Sequence, residues 1–125
     1  MWEEYNANPN NNRTGDCVVR ALAVVLEQPW EKIYTDLFYQ GLKLKGMPST
    51  NAVWGAYLRN NGFEREAIPN TCPDCYTVRD FCKEHPEGNY VLALEHHIVG
   101  VKNGNYIDTW DCGNELPQYY WRKTE

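Results

Sequence analysis

The tightest constraint on the fold is the dipeptide Asn103-Gly104, which joins the strand-like segments HIVGVK and NYIDTWD. A two-residue hairpin of type I′ requires φ > 0 at both central positions, and Asn-Gly meets that requirement with little strain. With these two residues as the turn, side chains that alternate along the strands share one face. The expected partners on that face are Val101 with Tyr106, Val99 with Asp108, and His97 with Trp110.

The same register predicts contact between a histidine and a carboxylate. His97 and Asp108 become diagonal neighbours, which lie roughly 7 Å apart in an antiparallel pair and are within reach of a ring side chain. His96 points to the opposite face, where Asp111 would lie across the hairpin. A register slip of one residue would exchange the two faces, so His96 is the alternative base.

Cys17 is the candidate nucleophile, because it begins a predicted helix. The preceding segment NNNRTGDC is rich in turn formers, VVRALAVVLEQ is apolar nearly all round, and Thr14 or Asp16 could cap the helix. The partial positive charge and free N–H groups of a helix N-terminus favour a thiolate and can hold an oxyanion. The alternative is that Cys17 is a small buried hydrophobic residue.

Cys17 opening a helix, the run His97-Ile98-Val99-Gly100-Val101 and the triplet Asp108-Thr109-Trp110 together resemble the papain-like cysteine peptidase superfamily. The chain is also similar to small papain-like proteins of phages and bacteria, from about residue 11 to residue 121. The resemblance implies that Cys17 is the nucleophile and His97 the base. It further implies that Asp108 orients the imidazole, where the family often has Asn, and that Trp110 shields that hydrogen bond.

The chain departs from the family pattern at two places. The family usually has a Gln about six residues before the Cys as a second oxyanion donor, and this chain has Asn11 and Asn12 there. An Asn carboxamide donates the same hydrogen bond but is one methylene shorter. The nucleophile is followed by Val18, where the family commonly has Gly or Trp.

The remaining pattern predicts an α+β fold in one domain, residues 1–125. A second helix over residues 30–42 carries an apolar face of Trp30, Ile33, Tyr34, Leu37, Phe38 and Leu42. Ser49 or Thr50 can open a third helix, and Thr77 a fourth. FEREAI is a short strand candidate, and the later strands NYVLALE, HIVGVK, NYIDTWD and QYYWR predict an antiparallel run. We expect N-terminal helices, with the Cys-bearing helix packed on this small antiparallel sheet.

Charge and hydropathy exclude several classes of partner. The chain has 12 basic and 17 acidic residues, a net charge of −5, which argues against nucleic acid binding. The absence of a run of about 18 apolar residues predicts no membrane span, and the polar, acidic first residues predict no secretory signal. We therefore expect a cytoplasmic protein (host cytoplasm if phage-encoded) with five reduced cysteines and no cofactor. The oligomeric state is left open.

A second cluster of reactive side chains has the spacing of a zinc site. Cys72, Cys75, Cys82 and His85 form a C-x2-C-x6-C-x2-H pattern. We favour the alternative in which Cys82 fills core beside Phe81 and the first two cysteines are loop thiols. His85 then faces solvent or the helix dipole. No role is assigned to Cys112.

These observations predict a cysteine (thiol) hydrolase that acts on a peptide or protein substrate through Cys17, His97 and Asp108. Peptidase or isopeptidase activity is expected, and deamidation or transpeptidation would use the same groups. The competing classes are a non-catalytic papain-like binding module, such as a phage protein that engages a host factor, and a zinc-binding interaction protein.

Overall fold

The computed structural model describes residues 1–124, in which four helices and six strands form an α+β fold. The helices are α1 (Cys17–Leu26), α2 (Trp30–Leu44), α3 (Asn51–Asn60) and α4 (Val78–Glu84). The strands are β1 (Trp2–Glu4), β2 (Phe63–Ala67), β3 (Asn89–Ala93), β4 (Ile98–Lys102), β5 (Asn105–Asp108) and β6 (Tyr119–Lys123). The predicted α+β class and the predicted starts of α1 and α4 are confirmed.

The six strands form one mixed sheet in the order β1-β5-β4-β3-β6-β2. The expected antiparallel run is wrong in two respects. β6 pairs with β3 and not with β5, the strand before it in the chain, and β1 adds a parallel strand beside β5. β1 has only three residues, two of them exposed, so its sequence shows no strand alternation. It is a strand because it pairs with the free edge of β5.

The predicted hairpin register is confirmed over the three residue pairs nearest the turn. Asn103 has φ 50° and Gly104 has φ 80°, as a type I′ turn requires. The paired residues are Lys102–Asn105, Val101–Tyr106 and Gly100–Ile107. A residue outside the hairpin also stabilises the turn, because the Asn103 side chain accepts a hydrogen bond of 3.0 Å from the Gly88 N–H.

Gly100 brings α1 close to the sheet. A Cβ at this position would lie 2.9 Å from Cγ2 of Val25 and 3.0 Å from the carbonyl oxygen of Ala21, both on α1. Only glycine accommodates this approach of helix and strand. The contact fixes the start of α1 near the beginning of β4, where His97 and Ile98 lie.

Helices cover both faces of the sheet. Buried side chains of α1, α2 and α3 pack against Val91, Ala93 and Ile98 on one face. On the other face α4 packs against Val99, Val101 and Tyr106, which share one face as the hairpin predicts. Tyr106 is buried next to Cys112 in this second cluster.

The predicted apolar face of α2 is only partly buried. Ile33 and Leu37 lie in the core, whereas Tyr34, Phe38 and Leu42 are each more than half exposed. α2 packs on α1 and α3, and this contact covers a narrower stripe than the apolar pattern spans. The amphipathic helix is confirmed, but its apolar side chains form a surface as well as a core.

The expectation that all five cysteines are reduced is wrong. Cys72 and Cys75 form a disulfide in the loop before α4, with their Cα atoms 4.3 Å apart. The expectation rested on the inferred compartment, whereas a tight loop that brings the two sulfurs together depends on local backbone geometry. Among residues 1–124, no helix combines the length and the apolar character needed to cross a membrane.

Candidate active site

Cys17 is the first residue of α1 and is partly buried beside the imidazole of His97. Burial raises the pKa of this thiol, but hydrogen bonds from His97 and from the Ile98 N–H, with the charges of His97 and Arg20, lower it further. The net effect is a pKa below the ordinary value. The first N–H groups of a helix have no partner within the helix, so the start of α1 also offers donors to an oxyanion.

His97 and Asp108 are hydrogen-bonded through Nε2 of the imidazole and Oδ2 of the carboxylate. This contact leaves Nδ1 for the thiol of Cys17. Burial lowers the pKa of His97, but the hydrogen bonds with Asp108 and Cys17 and their negative charges raise it to about 9. The structure therefore brings the three predicted residues together, and the lowered pKa of the thiol and raised pKa of the imidazole both favour the thiolate–imidazolium pair. Their catalytic roles stay a prediction.

Arg20 is the residue of this site that sequence reasoning missed. Its Nη1 lies 2.8 Å from Oδ1 of Asp108, and its Nε lies 2.8 Å from Oδ1 of Asp16. Arg20 follows Cys17 by three positions, so both side chains lie on one face of α1. An arginine on an otherwise apolar, buried helix needs a carboxylate partner. This feature of the sequence could have identified Arg20 as part of the site.

A polar network behind Arg20 holds the guanidinium in place. Asp16 occupies the N-cap position of α1 but makes no capping hydrogen bond with its side chain. Its carboxylate instead accepts hydrogen bonds from Arg20, from the Trp30 indole at 3.0 Å and from the Asn8 amide at 3.2 Å. Burial raises the pKa of Asp16, but these partners lower it below its ordinary value.

Asp108 is the most enclosed polar group of the site, with 2% of its side chain exposed. Its Oδ1 also accepts from the Thr109 N–H at 2.7 Å, and the Cys112 thiol lies 3.9 Å from Oδ2. Burial raises the pKa of Asp108, whereas the contacts with His97, Thr109 and Arg20 lower it below its ordinary value. The carboxylate is therefore ionised and fixed from several directions.

The ring of Trp110 lies beside the imidazole of His97, with centroids 5.1 Å apart and the ring planes tilted by 46°, and 43% of the residue is exposed. Trp110 is therefore close to His97, as its predicted role of shielding the His97–Asp108 hydrogen bond requires. His96 has 90% of its side chain exposed and faces Glu95. The predicted pairing of His96 with Asp111 is wrong, because β5 ends at Asp108 and the alternation does not extend to Asp111.

Asn11 and Asn12 were the candidates for a second oxyanion donor. Both are exposed, and the structure gives neither side chain a contact with Cys17. Asn11 has φ 58° and belongs to a turn in which its N–H donates to the Asn8 carbonyl at 2.9 Å. The buried amide of this loop belongs to Asn8, whose side chain binds Asp16. The two candidates receive no support from this arrangement.

The four candidate zinc ligands do not converge in this structure. Cys72 and Cys75 are bonded to each other, and Cys82 is buried in the core under α4, as the packing alternative predicts. The His85 ring stacks on Phe81 at 3.8 Å, and its Nδ1 lies 2.8 Å from the Phe81 carbonyl oxygen. That carbonyl is near the end of α4, which fits the predicted interaction with the helix dipole.

Within residues 1–124, one group of metal-type ligand atoms lies close together: those of His97, Asp108 and Cys112, within 4.8 Å of one another. Two features oppose a cation there. Arg20 already neutralises Asp108, and burial together with the charge of Asp108 raises the pKa of Cys112 to about 12. The Cys112 thiol therefore stays protonated, whereas metal binding requires a thiolate.

No protein-family model, curated protein or solved structure matches the chain, so the chemistry that the site can perform is inferred from its geometry. That geometry is a thiol at a helix N-terminus beside an imidazole that a buried carboxylate orients. A thiol, a base and an orienting acid in this order are the components of nucleophilic acyl transfer.

Proposed function

We propose that the protein is a papain-like thiol hydrolase that cleaves an amide, isopeptide or thioester bond of a peptide or protein substrate. The observation that carries the proposal is the hydrogen bond of His97 with Asp108, beside a Cys17 close enough for the imidazole to lower the pKa of its thiol, with the three residues drawn from separate parts of the chain. The pKa of the thiol is lowered while that of the imidazole is raised, which is the electrostatic pairing that such chemistry needs.

The proposed reaction proceeds through a thioester on Cys17. The thiolate attacks the carbonyl carbon, and the oxyanion is held by the N–H groups at the start of α1. The protonated His97 donates its proton to the leaving group as the bond to that group breaks. The neutral imidazole then removes a proton from water, which attacks the thioester and releases the acid and the Cys17 thiolate.

Asp108 and Arg20 prepare the imidazole for both steps. Asp108 holds Nε2, which keeps the ring oriented and stabilises its protonated form. Arg20 binds the other oxygen of the same carboxylate. Because the carboxylate is buried, this second partner favours its ionised form.

The test is alkylation of the thiols by iodoacetamide between pH 5 and 9, followed by peptide mass mapping. We expect labelling of Cys17 well below pH 8, where an ordinary cysteine with a pKa of about 8.5 reacts slowly. Cys82 and Cys112 are buried and serve as internal references. Labelling that starts only near pH 8 would contradict the proposal and favour a non-catalytic binding module.

The second part of the test is turnover. A peptide thioester should be hydrolysed by the wild-type protein and not by Cys17→Ala, with the acyl-enzyme trapped at low pH as a mass increase on Cys17. A reactive thiol that forms no acyl-enzyme with any of several peptide thioesters would also count against hydrolysis.

A further inference from the structure

The outer face of α2 is the most apolar part of the protein surface. Of the ten large hydrophobic residues that are exposed among residues 1–124, six lie between residues 34 and 47. Tyr34, Phe38 and Leu42 are each more than half exposed and follow one another at intervals of four positions. Side chains at this spacing lie on one face of a helix. Concentrated exposed apolar surface of this kind marks an interaction site.

A charged residue lies at each end of this apolar row. Glu31 is in the first turn of α2 and Lys45 is its C-cap residue, and both are exposed. They lie seven positions before and after Phe38, so at 3.6 residues per turn they share its face. Among the residues that the structure describes, neither has an ion-pair partner, because the ion pair within α2 joins Lys32 with Asp36. The α2 stripe is the set Glu31, Tyr34, Phe38, Leu42 and Lys45.

The α2 stripe is complementary to itself when its direction is reversed. Tyr34 and Leu42 lie four positions on either side of Phe38, as Glu31 and Lys45 lie seven positions on either side. In an antiparallel pair with a two-fold axis at Phe38, Tyr34 of each copy lies opposite Leu42 of the other. Glu31 then lies opposite Lys45 at both ends. A parallel pair would instead place like charges together, so charge favours the antiparallel arrangement.

A cavity of about 340 Å³ at the C-terminal end of the stripe has the shape of a hole that a facing helix fills. Its helical lining is Phe38, Gly41, Leu42 and Lys45. These residues have the i, i+3, i+4, i+7 spacing of the four that receive one side chain in knobs-into-holes packing. Gly41 contributes no side chain, which leaves the hole open. In the two-fold arrangement the side chain that faces this hole is Tyr34 of the other copy.

The exposed area of the stripe is sufficient for a dimer. A fully buried aromatic side chain removes about 150–250 Å² from water, and the rings of Tyr34 and Phe38 are each 55% exposed. Together with Leu42, the two charged residues and the adjacent Met47, they offer roughly 600 Å² per copy. Two copies would bury about 1,200 Å², which is the lower end of the range for specific interfaces. We therefore expect an affinity in the micromolar range.

We propose that the protein forms an antiparallel, two-fold symmetric dimer through α2, in which the α2 stripe of one copy packs against the α2 stripe of the other. Tyr34 of each copy fills the hole of the other, and Phe38 packs against its symmetry mate. Glu31 pairs with Lys45 at both ends. The inference is independent of the proposed hydrolase function, because this interface needs no reactive thiol.

Sedimentation velocity of the full chain between about 1 and 200 µM tests the dimer. We expect the mass to rise from the 14.6 kDa of one chain toward twice that value as the concentration increases. A mass that stays at one chain throughout would overturn the proposal and leave a different protein as the occupant of the stripe. A dimer that survives denaturing electrophoresis without reductant would be disulfide-linked, which would also overturn it.

A matched pair of variants locates the interface. Phe38 and Tyr39 are 55% and 60% exposed, and their side chains are about 100° apart around the helix. Phe38→Glu places two carboxylates at the two-fold axis, so the dissociation constant should rise by about 100-fold or more. Tyr39→Glu should change it by less than about threefold. Both variants should keep the far-UV circular dichroism of the wild type. An unchanged dimer in Phe38→Glu, or equal losses in the two variants, would overturn the assignment.

Charge reversal tests the antiparallel pairing. Glu31→Lys and Lys45→Glu each place like charges opposite one another in the dimer, so each should raise the dissociation constant by about tenfold at low salt. The double variant restores opposite charges at both ends, and its dissociation constant should return to within about threefold of the wild-type value. Losses that add in the double variant would contradict the two-fold arrangement.

Discussion

Two groups of reactive side chains in this protein differ in whether residues that are close along the chain are also close in the fold. Cys17, His97 and Asp108 are spread over most of the chain, yet they meet. Cys72, Cys75, Cys82 and His85 lie within 14 consecutive positions of the sequence, yet they separate into a surface disulfide, a core thiol and a stacked ring. Closeness along the chain therefore did not predict which side chains are in contact, because sheet pairing and helix docking decide which of them converge.

The physical difference lies in what holds each group. The first is held by the hairpin register and by the close approach of α1 to Gly100. The second straddles the boundary between a loop and the short helix α4, whose inward face carries Cys82 into the core. One turn of helix is enough to direct Cys82 away from an exposed loop cysteine such as Cys72.

Removal of His97 should have the largest effect on the first group. In His97→Ala the thiolate loses its counter-ion, so the pKa of Cys17 should return toward about 8.5 and alkylation at pH 6 should fall by about 100-fold or more. His96→Ala is the matched control, because that ring is exposed, and it should leave the rate unchanged. The measurement is the pH profile of iodoacetamide labelling. A shift in His96→Ala instead of His97→Ala would mean that the wrong histidine has been assigned.

Substitution of Asp108 should have the next largest effect. Asp108→Ala removes the acceptor that orients and charges the imidazole, and we expect at least about tenfold slower alkylation of Cys17 at pH 6. Asp108→Asn should retain more reactivity, since an amide oxygen still accepts from imidazole. The same pH profile gives the comparison, and equal losses in the two variants would show that charge alone accounts for the role of Asp108.

Arg20 sharpens the comparison because it links α1 to the sheet through charge. Arg20→Met leaves the buried Asp16 without its cation and removes one of the two cations that contact Asp108, so we expect a loss of about 3–5 kcal/mol in the free energy of unfolding. Arg20→Lys should restore part of it, because Lys cannot bind both carboxylates in the same planar geometry. Urea unfolding at pH 7 measures both variants. A loss below about 1 kcal/mol in Arg20→Met would mean that the ion pairs contribute little.

Stability should also depend on pH with two opposite signs. The lowered pKa values of Asp16 and Asp108 stabilise the fold above their ordinary pKa, and this stabilisation is lost as the pH falls below about 4. The raised pKa of His97 stabilises the fold below about 6.5, and this stabilisation is lost as the pH rises toward about 9.

The alkaline decline is best measured in Cys17→Ser, where the thiol does not titrate. We expect a decrease of about 1–3 kcal/mol in the free energy of unfolding between pH 6.5 and 9, since Asp108 still raises the pKa of His97. The double variant with His97→Ala should lose this slope. A slope that persists without His97 would assign the decline to other groups.

The second group should respond least. Cys72→Ser with Cys75→Ser opens a short surface loop, so we expect a loss of about 1–2 kcal/mol in the free energy of unfolding and no change in Cys17 alkylation. The reduced protein should bind no zinc, because Cys82 lies in the core. Elemental analysis after incubation with zinc checks this result. One equivalent of zinc that is lost in Cys82→Ala would show that the core thiol can reach the loop.

The local parts of the fold could be predicted, and the long-range parts could not. Asn103-Gly104 and Thr77 act on their immediate neighbours, and both the turn and the capped start of α4 are present. The pairing of β6 with β3 and the edge strand β1 could not be predicted, because strand partners depend on which edges remain free after the rest of the sheet forms. The contact of Arg20 with Asp108 depends in the same way on the docking of α1.

The sequence by itself determined the hairpin, the helix that begins at Cys17 and the shared face of His97 and Asp108. These features follow from backbone preferences and side-chain alternation over a few residues, which no distant contact needs to support. The tertiary structure alone decided that the thiol meets the imidazole and that Arg20 neutralises the buried carboxylate. The tertiary structure also decided that half of the apolar face of α2 is exposed at the surface. The physical reason is that burial, and the partner that a buried charge requires, are set by how separate elements pack together.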